Sequence, residues 1–127
     1  MDTNKILFLS VKVLLGTLMI IFGLNKFLGF IPVEPPSDPT AQAFLGNMFS
    51  TYLFKVVAFA EILGGILLFI PRYAFIGVLL LLPILFNIVA FHLAHDLPGN
   101  GIWLGPTLLF LVLIIFYKSE FKSLVKS

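Results

Sequence analysis

Apolar residues along this chain fall into four long runs, separated by three polar breaks rich in turn formers. The runs lie at about 6–28, 53–70, 74–95 and 102–118. Each approaches the ~20 residues that carry a helix across ~30 Å of hydrocarbon. None shows the apolar–polar alternation of a barrel strand, and a membrane span must satisfy its own backbone, so the runs predict helices. The expected fold is all-α: one membrane domain over residues 1–127, an integral four-helix bundle.

The breaks refine this picture. The longest, "IPVEPPSDPTAQAFLGNMFST", carries four prolines between residues 32 and 39, which forbid a regular helix there. Asp38 or Thr40 can cap a short amphipathic helix starting near Pro39, with Ala43, Phe44, Met48 and Phe49 apolar. That helix is expected on the membrane surface or folded back into it, and a plain exposed loop is the alternative. "PRYAF" leaves room only for a tight turn, and "HDLPGNG" reads as a loop. Pro83 is expected to kink the third helix and free the Leu79 carbonyl, while Pro106 falls in the first turn of the fourth, where proline is tolerated. The first run is too long for a signal-peptide core and lacks a small-x-small cleavage site, so it reads as a retained helix, with Lys12 snorkelling toward its near end.

Composition makes the bilayer the expected solvent. Of 127 residues 60% are hydrophobic and 11% charged, with a mean hydropathy of +1.11. A soluble domain this small buries too little of its chain to hide so much apolar surface. The absence of cysteine excludes disulfides, thiolate metal sites and thiol redox chemistry by this chain. The net charge of +2 comes from few residues and bears on orientation, with no sign of a nucleic-acid partner. Lys5, Arg72, Lys118, Lys122 and Lys126 share one side of a four-span chain, whereas Lys26 and Lys55 on the other are diluted by Glu34, Asp38 and Asp96. The positive-inside rule then puts both termini in the cytoplasm, with Trp103 and Tyr52 at the outer interface and Tyr73 and Tyr117 at the inner. The terminal "YKSEFKSLVKS" reads as a solvated helix end with snorkelling lysines that could touch anionic lipid.

Five polar residues sit where hydrocarbon is expected. Glu61 lies about eight residues into the second span, ~12 Å below the outer boundary. Asn25 and Lys26 close the first span, and Asn87 and His92 lie in the outer half of the third. All five therefore share the outer half of the bilayer. A charge near mid-bilayer costs at least ~2.5–3.5 kcal/mol and needs a partner, so Lys26 is expected to pair with Glu61. Gly16 and Gly23 on one helix, and Ala60, Gly64 and Gly65 on the other, offer the close-packing faces. Two readings stay open. Either Glu61, Lys26, Asn25, Asn87 and His92 form an outward-facing pocket that binds a ligand or handles protons, with Glu61 and His92 able to share one, or the pair is a device fixing helix register. A third chemistry, a metal held by His92, His95 and Asp96, has a weaker pattern: two histidines at i,i+3 and no thiolate.

"GLNKF" closing the first helix, "AEILGGILLFIPRYA" through the second helix and its turn, and His92 late in the third resemble the DoxX/DoxX-like family of small four-helix bacterial membrane proteins. Lys26, Glu61, Gly64, Gly65 and His92 stand at the matching positions. The resemblance implies a multi-pass protein of the bacterial cytoplasmic (inner) membrane. Because some relatives belong to respiratory oxidoreductase systems, it also implies possible redox-enzyme subunits as partners and a quinone as possible cofactor. The expected function is a small membrane component of a redox system that binds a quinone-like or lipidic ligand, with residues 40–52 as a lid. The alternative is a non-catalytic scaffold or assembly factor with a structural Lys–Glu cluster. A homodimer is compatible with the apolar exterior but has no specific signal.

Overall fold

The computed structural model describes residues 2–32, 35–96 and 101–126. Among them there are six helices and no strand: α1 (Thr3–Leu28), α2 (Pro39–Phe49), α3 (Leu53–Leu68), α4 (Ala74–His95), α5 (Leu104–Phe116) and α6 (Lys118–Val125). Val33 and Glu34 in the proline-rich break, and residues 97–100 in the expected "HDLPGNG" loop, lie outside the described residues.

The ends of the helices follow from local chemistry. Asp2 caps α1 by accepting from the Asn4 N–H, and Gly29 ends it in the left-handed region at φ 64°, its own N–H donating to the Asn25 carbonyl. Asp38, one of the two expected caps, starts α2 by accepting the Ala41 N–H at 3.0 Å, with Pro39 in the first turn. Pro83 does not end α4, which runs unbroken from Ala74 to His95.

Two helices, α1 and α4, are long and apolar enough to cross a membrane. At 16 and 13 residues, α3 and α5 are shorter than the expected runs; at 1.5 Å per residue they reach only about 24 and 20 Å. α2 and α3 together are long and apolar enough for a span, but they meet at a 79° bend, the geometry of a broken span or of a re-entrant loop. The fourth run ends at Phe116, and the chain restarts as α6 after Tyr117. The molecule is therefore an all-α protein with two candidate spans, or three if the bent pair counts as one.

The core is drawn from four helices, with Leu15 and Met19 of α1, Leu68 of α3, Leu81 of α4 and Leu113 of α5 all at 1% exposure or less. Outward, large apolar side chains such as Phe59, Phe86 and Ile115 remain more than half exposed, as befits helices solvated by lipid.

α1 packs chiefly on α3, antiparallel to it. A Cβ built on Gly65 would stand 2.7 Å from the Gly16 carbonyl oxygen, and one on Gly23 would stand 2.8 Å from that of Ala58. These two meetings lie seven residues apart on each helix, in opposite directions, and so define one register. Gly64 faces the other way: a Cβ there would collide with Leu81, and one on Gly77 would stand 2.8 Å from the Gly64 carbonyl oxygen. The adjacent glycines of "ILGG" thus serve two neighbours, Gly65 for α1 and Gly64 for α4. Ala58, fully buried, stands at the crossing where Ala60 was expected; Ala60 is partly exposed.

Gly65→Ala is expected to destabilise the protein by ~1–3 kcal/mol, because the new methyl meets backbone and not a movable side chain. Gly46→Ala, where a Cβ meets nothing within 4 Å, is expected to be neutral or to gain up to about 1 kcal/mol of helix propensity. Reversible unfolding in detergent, followed by circular dichroism, measures both.

Candidate functional site

The α1–α3 register places the charges. Helical side chains lean toward the N-terminus of their own helix. Lys26 therefore leans back along α1 toward Gly23, and Glu61 leans along α3 toward Ala58. Since α1 and α3 run antiparallel and Gly23 meets Ala58, the two side chains converge on one level. Lys26 Nζ stands 2.7 Å from Glu61 Oε1, forming the expected pair.

The pair is asymmetric. The Glu61 side chain is 1% exposed, whereas that of Lys26 is 21% exposed. The cation thus reaches the carboxylate from the rim of the α1–α3 crossing, its stem lying along apolar surface. At this distance the ammonium is the partner of Oε1, and among the described residues no other donor reaches that oxygen. A desolvated carboxylate held by a single cation keeps lone-pair capacity for a further donor.

The other expected pocket residues are engaged elsewhere. Asn25 folds over the end of α1, accepting the Ile31 N–H at 2.6 Å and donating to the Ile31 carbonyl at 3.1 Å. Asn87 is exposed and donates to the Pro83 carbonyl at 2.9 Å, one turn back on its own helix. His92 places Nδ1 2.8 Å from the Ile88 carbonyl, so that nitrogen carries the proton and donates. Its Nε2 faces Asp96 at 3.6 Å. Among the described residues no hydrogen bond or ion pair joins His92 to Glu61. The structure thus brings Lys26 and Glu61 together and leaves Asn25, Asn87 and His92 in separate local arrangements.

His92 belongs instead to an aromatic cluster that sequence reasoning did not assemble. It stacks on Trp103, with centroids 4.8 Å apart and planes at 16°, and meets the edge of Phe91. Phe91 in turn stacks on Phe44 of α2 at 5.4 Å. Trp103 Nε1 is buried without an acceptor among the described residues. The signal available in the sequence was the aromatic content of "AFHLAH" and "GIWLG", which carries no pairing information by itself. As for a metal, no group of three His, Asp or Glu side chains among the described residues is placed to hold one.

Two shallow surface grooves lie at the opposite end of the molecule, one lined by Phe121, Lys122, Val125 and Lys126, the other by Asn4, Lys5, Phe8 and Phe116. Near them Lys12, expected to snorkel toward the near end of α1, is buried, and its ammonium lies 4.3 Å from the centroid of the Phe8 ring, one turn toward that end.

Comparison with protein-family models, curated proteins and solved structures finds no match to this chain.

Breaking the pair from one side should cost more than removing it. Lys26→Met strands a buried carboxylate and is expected to lower stability by ~3–5 kcal/mol, while Lys26→Met with Glu61→Leu should recover most of that loss. A double-mutant cycle on detergent unfolding measures the difference. A double variant no more stable than Lys26→Met would show that the pair contributes packing and little charge compensation.

Proposed function

We propose that this chain is a small membrane protein whose Lys26–Glu61 pair receives the polar head of a quinone-like or lipidic molecule. The carrying observation is Glu61: a carboxylate 1% exposed whose partner among the described residues is the Lys26 ammonium. A ligand hydroxyl or N–H would supply a second donor to the carboxylate, and the partly exposed Lys26 ammonium keeps N–H groups free for a ligand carbonyl or phosphate oxygen. The ligand tail lies along the exposed apolar faces of α1 and α3.

In this reading α1, α3, α4 and α5 form a four-helix membrane bundle in the bacterial inner membrane, with both termini cytoplasmic. α3 and α5 reach across with help from α2 and α6. The side bearing Lys5, Arg72, Lys118, Lys122 and Lys126 faces inward, as the positive-inside rule asks. α2, stacked on α4 through Phe44 and Phe91 and packed against α3 through the tilted rings of Phe49 and Phe54, lies beside the outer end of the crossing as a lid. A redox setting rests on the resemblance to DoxX-like proteins. The chain has no thiol of its own, so a quinone would bring the redox centre with it.

The scaffold reading has its own supporting observation. Asn25, Asn87 and His92 each complete a local hydrogen bond and leave Glu61 with Lys26 alone. The two readings separate on Glu61→Gln, which keeps the shape and removes the charge. With a ligand site, the purified variant stays folded but loses the small molecule that mass spectrometry detects in organic extracts of the parent protein. With a scaffold, no specific molecule is extracted from either form, and only stability falls.

A further inference from the structure

The inner-end groove of α6 is not used by the Lys26–Glu61 site. α6 has no buried residue, and its link to the bundle is Phe121, whose ring meets Phe75 edge-on at 5.1 Å. Lys118 and Lys122, four apart, lie on one side of α6, and Lys126, its C-cap, follows at the same spacing to extend the row of lysines. Beside that row Leu124 and Val125 are 56% and 85% exposed, and Phe121, Lys122, Val125 and Lys126 line one groove. A lysine stripe flanking an uncovered apolar edge is the pattern of a helix lying in a membrane interface.

The surrounding surface repeats that chemistry. Phe116 and Tyr117, just before α6, pack against Phe8 of α1, and Tyr117 also stacks on Phe75 at the start of α4. The start of α1, the α3–α4 turn and α6 are therefore at one end of the molecule. Lys5 and Arg72 are exposed there, Lys5 in the second groove and Arg72 beside the Tyr73 ring. Among the described residues the acidic side chains at this end are Asp2, engaged as the α1 cap, and Glu120.

We infer that α6 docks onto anionic phospholipid headgroups, the lysine stripe meeting phosphates while Leu124 and Val125 enter the acyl boundary. This rests on the chain being a membrane protein, though not on which side of the membrane the lysines face. Phe121 acts as the hinge pin that keeps the helix beside the bundle. A single lysine near an anionic surface contributes about fivefold in occupancy, so three together give on the order of a hundredfold.

The test is hydrogen exchange of the α6 amides in the full chain, reconstituted in nanodiscs of phosphatidylglycerol or of phosphatidylcholine. Exchange in residues 118–125 should be at least about tenfold slower with phosphatidylglycerol, a slowing that 1 M salt abolishes. The Lys118→Gln, Lys122→Gln, Lys126→Gln variant should lose it, with α4 amides unchanged as the sign of an intact fold. Equal exchange in the two lipids overturns the inference, as does slowing by inorganic phosphate in phosphatidylcholine discs, which would mark a free-anion site. Failure of the chain to enter nanodiscs would overturn the membrane reading itself, so the two failures are distinct.

Discussion

The close approach of α1 and α3 is the constraint on which the rest of the molecule depends. Gly16 against Gly65, and Gly23 against Ala58, let two backbones come together where any larger side chain would hold them apart. In lipid there is little hydrophobic drive between helices, so such contact surfaces are a principal source of specific association. The crossing fixes the level at which Lys26 and Glu61 meet. Moving the register by one turn, about 5 Å, would leave the carboxylate facing apolar side chains. Packing and charge thus specify the same alignment.

α3 is consequently the central helix. It gives Gly65 to α1 and Gly64 to α4, and it carries the buried carboxylate between these contacts and its own N-terminus. Its hydrophobic character is almost uniform around its circumference, as expected of a helix enclosed by partners and lipid. One end is then closed by aromatic contacts from α2, α4 and the start of α5, and the other by those among α1, α4, α5 and α6.

Much of this was legible in the sequence, for reasons that can be named. Apolar run length and the Asp38–Pro39 cap are local signals, and they located the helices: α4 at its expected bounds and α2 at its expected start. A lone lysine near a lone carboxylate at matching depth left few pairings, so Lys26–Glu61 was readable too. Side-chain direction was less so. Asn25 and Asn87 were expected to join the pocket, but short amides near helix ends and prolines find nearby backbone partners before distant ones, as their bonds to Ile31 and Pro83 show. The His92–Trp103 stack, the role of Ala58 over Ala60, and the division of two glycines between two helices depend on rotation about the helix axis, to which a nearly all-apolar sequence gives little clue.

The unequal exposure of Lys26 and Glu61 bears on how the protein is made. Lys26, at the end of α1, can keep its charge in the interface while it waits; Glu61, in the middle of a 16-residue helix, cannot. α1 is synthesised first and is long enough to cross a bilayer, whereas α3 carries a carboxylate whose cation partner among the described residues belongs to α1. In a membrane, then, the chain has a built-in order of assembly: α1 is the template, and α3 becomes a stable membrane segment by joining it.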